Sequence, residues 1–296
     1  MEYSHTRLQT YLTCPRSFKH YYLVKARTRK RPLYFVLGEA IHKYIEMYYR
    51  TKDIALAKRQ VEMIYKAVDT ALLNREEIHD LEVDRNTALG IAEAYPLFYK
   101  SDFDEFKNFL TEQKFSIPLT GNDTYGGILD ALLQDQAGAW WILETKTTSA
   151  QAINADYFEK VKIDSQVAGY MEGAKQILGE YPAGVIYNVI KKPSIRLKNG
   201  ESLADFQRRI FHEYTKMAVE KNYFMRQQLM VATHRLESWL NDTKQLTASI
   251  SEAVAKKSSF WPMNTGACQA KFGSCAYLPA CTTGKYSPLL YAKETK

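Results

Sequence analysis

Long apolar runs are missing from this 296-residue sequence. Nothing in it approaches the ~18 consecutive apolar residues of a bilayer-spanning helix. The opening stretch, MEYSHTRLQTYLTCPRSFKHYY, also lacks the apolar h-region of a secretory signal. A soluble, cytoplasmic protein without membrane association is therefore expected. Low-complexity tracts, Gly/Ser linkers and fixed-period repeats are absent too, so the expectation is one main domain, residues 1–296, large enough to bury a core without disulfides. Hydrophobic residues at 46% and charged residues at 25% are ordinary globular values. They argue against disorder, collagen-like sequence and coiled coil. Cysteine is scarce, with four residues, and without an export signal these read as metal ligands before they read as disulfides.

One sign of charge is in excess. Lys plus Arg at 40 against Asp plus Glu at 33 leaves +7, a balance that favours polyanionic partners. Along the chain, residues 6–22 look helical with a break at Cys14-Pro15, and Lys25 to Pro32 reads as a basic loop unable to pack a core. Ile41, Ile45 and Tyr48 repeat at helical spacing. Residues 53–107 continue in helical style and are expected to form a helical insertion or lid. Alternation then takes over at Phe115, Ile117 and Leu119, followed by the turn cluster TGNDT, a strand at 125–134 and a strand at 139–146. A helix near 164–178, an apolar strand at 183–190 and further helices at 200–260 complete the order. The class predicted is α/β, with a mixed sheet in a core at 108–192 flanked by helices, and a cysteine-containing tail at 261–296.

The turn Asp135-Gln-Ala-Gly-Ala139 sets up the chemistry. If the hairpin closes symmetrically about Ala137, residues whose numbers sum to 274 face each other, and Asp130 stands opposite Glu144. Cross-strand neighbours have Cβ atoms ~4.5 to 5.5 Å apart, where like charges repel unless compensated. A divalent cation would compensate them. Lys146 shares the face of Glu144 because strand side chains alternate. Two carboxylates and an ammonium so placed suit metal-assisted phosphodiester hydrolysis with Mg²⁺ or Mn²⁺, although unrelated solvent-facing charges would give the same three letters. Glu112, at the start of a strand, reads as solvated.

These residues resemble a known series. Gly127-Ile-Leu-Asp130, Ile142-Leu-Glu144-Thr-Lys146 and Gln166-Val-Ala-Gly-Tyr170 are similar to the G-x-x-D, (D/E)-x-K and Q-x-x-x-Y motifs of PD-(D/E)XK nucleases, in their RecB-like exonuclease branch. Gly38-Glu-Ala-Ile-His42 resembles that branch's G-x-x-x-H motif, and residues 3–22 resemble its opening. Ser4-His-Thr6 departs from the usual two serines, and Glu144 stands where many members have Asp. The resemblance implies a restriction-endonuclease-like core, His42, Asp130 and Glu144 as metal ligands, Lys146 as catalytic lysine, and Gln166 and Tyr170 on a helix beside the site. Taken alone, His42 would read as a packed or surface histidine.

Cys268, Cys275 and Cys281, with a distant Cys14, resemble the set by which AddB-type and CRISPR-associated members of that branch hold a 4Fe-4S cluster that joins the chain ends. Six residues separate the first two C-terminal cysteines where those relatives commonly have two, which keeps a structural Zn²⁺ as the rival. Tyr21, Tyr22, Tyr34, Phe35, Tyr48 and Tyr49, interleaved with Arg27, Arg29, Lys30, Arg31 and Arg50, suit single-stranded DNA, with Tyr22 and Tyr48 read as core. Lys191-Lys192 and Arg208-Arg209 extend the basic character. The function expected is a metal-dependent DNA exonuclease for single-stranded or end-bearing DNA in repair, recombination or phage DNA processing, with a helicase or recombination partner. The rivals are a nonhydrolytic DNA-end-binding module and a site-specific endonuclease of the same superfamily.

Overall fold

The computed structural model describes the whole chain except residues 31, 151, 257–260, 271–272 and 294–296. Its elements run β1 (Glu2–Tyr3), α1 (His5–Thr13), α2 (Pro15–Phe18), β2 (Ala26–Thr28), α3 (Val36–Thr51), α4 (Ile54–Lys66), α5 (Arg75–Tyr99), α6 (Asp102–Glu105), β3 (Phe106–Pro118), β4 (Thr124–Asp135) and β5 (Trp140–Thr148). Then follow α7 (Ala155–Val161), α8 (Ser165–Leu178), β6 (Gly184–Lys191), α9 (Leu203–Lys216), α10 (Ala218–Lys221), β7 (Phe224–Leu229), α11 (Thr233–Ala255), β8 (Gln269–Ala270), β9 (Gly273–Ser274), α12 (Leu278–Thr283) and β10 (Tyr291–Lys293). Residues 1–31, 116–127 and 238–296 form one compact unit, and residues 32–115 and 128–237 form another. Among the described residues no helix is long and apolar enough to cross a membrane.

In the second unit β4, β5, β6 and β7 lie side by side. β4 and β5 are antiparallel, β5 and β6 parallel, and β6 and β7 antiparallel. The sheet is thus mixed, as expected for the α/β class. The parallel pair is joined through α7 and α8, the crossover that parallel neighbours require. One sheet face carries Ala131, Leu133, Leu143, Ile186 and Ile190 into a core shared with α3, α5 and α9. Helix starts follow the sequence: Asp53 caps α4, Asn74 and Glu77 form a capping box on α5, and Ser202 caps α9. Gly90 lets α5 meet α9, since a Cβ there would stand 2.7 Å from the Ile210 side chain and 2.8 Å from the Gln207 carbonyl oxygen.

Behind the sheet lies a buried polar row. Thr145 pairs with Asn188, and Asn188 with Arg226, across three strands. Asn188 donates to Thr145 Oγ1 at 3.3 Å and to the Tyr95 hydroxyl at 3.2 Å. Arg226 makes two 2.8 Å hydrogen bonds to the Asp102 carboxylate, which also accepts from the Tyr49 hydroxyl. Tyr49 is 2% exposed and so is a core residue, against its reading as a stacking group. The strand register could not reveal this, because α3 presents Tyr48 and Tyr49 to the same interior.

The other unit brings the two ends of the chain together. β1 pairs in parallel with the start of β4, and the Tyr3 hydroxyl reaches the Thr247 carbonyl at 3.2 Å and Ser251 Oγ at 2.7 Å. Trp261 stacks on Phe18, and the Arg16 amide donates to the Pro262 carbonyl at 3.1 Å. The expected basic loop at 25–32 is partly a strand: β2 pairs with β10, and Ala26 is buried with its carbonyl accepting from the Tyr277 hydroxyl. Arg27 stacks over the Tyr21 ring, 3.8 Å from its centroid, while Arg31 lies outside the described residues. Arg208 and Arg209 are each paired with a carboxylate, Asp205 and Glu201, which leaves them little to offer a basic channel.

Candidate active site

The hairpin register is the symmetric one: Ala131 pairs with Leu143, Leu132 with Ile142, Leu133 with Trp141 and Gln134 with Trp140. Asp130 and Glu144 are the next facing positions. Because Leu143 points into the core, alternation turns Glu144 and Lys146 to the opposite face. Asp130 Oδ2 accepts the Thr145 amide at 2.9 Å and lies 3.3 Å from His42 Nδ1. Lys146 Nζ sits 2.5 Å from Glu144 Oε1 and 2.8 Å from Gln166 Oε1, and Gln166 Nε2 donates to the Tyr170 hydroxyl at 2.8 Å. All six residues, from four separate motifs, meet in one unit.

Local structure explains why each arrives. Gly38 and His42 share a face of α3, and a Cβ on Gly38 would stand 3.0 Å from Thr147 Oγ1. Glycine thus lets the helix approach the end of β5 and set His42 over Asp130. On α8, Asp164 caps the helix by accepting the Gln166 amide at 2.7 Å. Gln166, Tyr170 and Gly173 follow one face, and a Cβ on Gly173 would meet the Phe115 ring at 2.5 Å. The ring of Phe115 in turn stands edge-on to Tyr170.

The electrostatics are those of a site short of positive charge. Glu144 has a 2% exposed side chain and its Oε2 is buried without a hydrogen-bond partner. Burial, and then Asp130, push its carboxyl up to about 7 despite Lys146. Burial would raise Asp130 too, but His42, the Thr145 amide and Lys146 hold it below the usual carboxylate range. Burial opposes charge on Lys146 and His42, and the carboxylates outweigh it, so both are raised. Lys146 is accordingly an ammonium at neutral pH.

Glu112 does not match its reading as a solvated strand start. It lies within β3 at φ +52, 3.4 Å from Lys43 Nζ, and lines with His42 and Asp130 a cavity of about 10 Å³. Extending the alternation of Phe115 and Ile117 backwards would have placed it mid-strand.

All four cysteines belong to the unit that holds the chain ends, as free thiols. Cys14 ends α1 and starts α2, the Cys275 amide donates to the Cys268 carbonyl at 2.8 Å, and Cys281 lies in α12. Burial raises the Cys281 thiol, Arg16 opposes, and Cys275, Cys14 and Cys268 add to the rise. His20 escaped sequence reasoning: its Nε2 is 3.4 Å from Cys281 Sγ while Nδ1 bonds to the Tyr286 hydroxyl. Among the described residues no three His, Cys, Asp or Glu side chains already form a metal-holding group. The donor chemistry nevertheless fits: hard oxygens with an orphaned carboxylate oxygen at Glu144, and soft thiols around Cys281.

The model of the PD-(D/E)XK nuclease superfamily matches residues 2–282. The chain belongs to that superfamily. Its nucleases generally use divalent metal ions. A solved structure from Eubacterium rectale, named a "Putative exonuclease", aligns at 11% identity over 88% of this chain and 84% of its own, with a TM-score of 0.51, a likeness of fold alone. A second, SSO0001, aligns at 14% identity over 61% of this chain and 74% of its own; its TM-score of 0.23 carries no argument. No curated protein matches.

Proposed function

We propose that this nuclease is a Mg²⁺- or Mn²⁺-dependent DNA exonuclease acting on single-stranded or end-bearing DNA, in repair, recombination or phage DNA processing beside a helicase or recombination partner. The observation that carries the chemistry is the linked assembly of Asp130, Glu144, Lys146 and Gln166 around the partnerless Glu144 Oε2. Asp130, Glu144 and His42 would hold the cation. Such an ion lowers the pKa of a bound water and neutralises phosphate charge. Lys146, fixed between Glu144 and Gln166, presents an ammonium toward the nucleophile and the phosphate oxygens. Gln166 is itself oriented by Tyr170, so its carbonyl oxygen stays on the lysine. Cys14, Cys268, Cys275 and Cys281 would hold a 4Fe-4S cluster, with Zn²⁺ the alternative, remote in role from hydrolysis and tying the chain ends together.

The test is digestion of end-labelled linear single strands, linear duplex and covalently closed circles with and without Mg²⁺. Metal-dependent loss of linear single strands with closed circles intact is expected. Rapid cutting of closed circles would replace the exonuclease reading with an endonuclease one, and binding without cutting would favour the end-binding module.

A further inference from the structure

A second feature of the unit that contains Asp130 and Glu144 takes no part in the chemistry above. An open cleft of about 560 Å³ lies where β6 ends and α10 turns into β7, and its lining includes Ser149, Lys191, Lys192, Ser194 and Asn222. The Lys192 amide donates to the Thr148 carbonyl at 2.6 Å. The cleft is therefore continuous with the end of the strand that carries Glu144 and Lys146. Lys192 Nζ in turn donates to the Tyr34 carbonyl at 3.2 Å, which ties the cleft to the segment that carries Tyr34 and Phe35.

Tyr34 and Phe35 are 48% and 56% exposed, with ring centroids 4.2 Å apart. Phe35 caps α3, and Phe35, Gly38 and His42 fall at i, i+3 and i+7, so the Phe35 position and the candidate metal ligand lie on one side of the helix, roughly 10 Å apart along the axis. Charge in the cleft is net positive: Lys191, Lys192 and Lys221 stand against Glu220. Lys221 is bonded to Glu213, while Lys191 Nζ donates to the Lys221 carbonyl at 3.4 Å and Lys192 Nζ to the Tyr34 carbonyl, which holds both ammonium groups at the cleft.

We propose that Tyr34, Phe35 and the Lys191–Lys192 cleft form a binding subsite for single-stranded DNA, the rings stacking on bases and the ammonium groups contacting phosphates next to the scissile position. Exposed rings can stack only on bases whose faces are free, and in a duplex those faces are already stacked on their neighbours. The assignment rests on the nuclease reading but concerns a different set of residues.

The experiment measures anisotropy of a fluorescein-labelled oligothymidylate about twelve nucleotides long, a length suited to such grooves, and of a matched duplex. EDTA is present, so nothing is cut. Phe35→Ala should weaken single-strand binding about 5- to 100-fold with little effect on duplex, and Phe35→Trp should restore it. Lys192→Gln should reduce the slope of log K against log salt by ~0.7, the share of one phosphate contact on a single strand. An unchanged melting temperature, expected because Phe35 is largely exposed, shows that the fold is kept. Wild-type binding that none of these changes touches would overturn the subsite while the nuclease reading stands. Equal losses on single strand and duplex would overturn its single-strand preference. A wild-type protein that neither binds nor cuts any DNA would remove both readings together.

Discussion

Replacing Glu144 by Gln should stabilise the metal-free protein at pH 8 while abolishing cleavage. The Glu144 carboxyl is buried, lacks a partner on Oε2, and is held at about 7 against an ordinary 4.5. A raised carboxyl binds its proton more tightly in the folded state, so stability falls as pH rises from about 4.5 through 7. Above that window the full cost applies, on the order of a few kcal/mol. Gln keeps the shape and cannot ionise. It gives up the 2.5 Å contact with Lys146, whose ammonium still meets Gln166, so the net gain at pH 8 is about 1 to 3 kcal/mol. Near pH 5 wild-type Glu144 is protonated in the folded protein and the gain should shrink to a small part of its pH 8 value. Urea unfolding of both proteins in EDTA at pH 5 and pH 8 measures it. Excess Mg²⁺ should then stabilise the wild type and not the variant. A variant less stable than wild type at pH 8, or a gain equal at both pH values, would refute the argument.

Asp130→Asn and Lys146→Ala should each abolish cleavage yet leave DNA binding in EDTA largely intact, since phosphate contacts elsewhere supply affinity; an Asp130→Asn protein cutting at near wild-type rate would displace the proposed centre. Gly173→Ala forces a methyl group against the Phe115 ring, and it should cost ~1 to 3 kcal/mol and lower kcat by moving Gln166 and Tyr170; unaltered thermal unfolding and turnover would mean that α8 shifts freely. Arg226→Met leaves Asp102 buried beside Tyr49 and should cost ~3 to 5 kcal/mol, part of it recovered with Asp102→Asn in the same chain. Protein purified without oxygen should be brown and carry iron, and Cys275→Ala should lose colour and melting temperature together. One equivalent of zinc and no colour would assign the thiols to Zn²⁺ instead.

The sequence by itself determined the elements and the register at the heart of the site. Alternation in 125–134 and 139–146, joined by the turn at Asp135–Ala139, leaves one hairpin that buries Leu133 and Leu143, and that hairpin already sets Asp130 against Glu144. The helical spacing of Gln166, Tyr170 and Gly173 likewise fixed a common face before any packing was known. Short-range geometry governs both, so local residues suffice. The tertiary structure decided whatever depends on partners far along the chain. It buried Tyr49 against Arg226 and Asp102, turned Ala26–Thr28 into a strand by supplying β10, and set Glu112 beside His42. It also left Glu144 Oε2 without a partner, brought His20 to Cys281, and joined Lys192 to Tyr34 across 158 positions. The physical reason is that burial and electrostatic environment are sums over every neighbour in space. A carboxylate's neighbours within its own strand say nothing of the helix that will desolvate it.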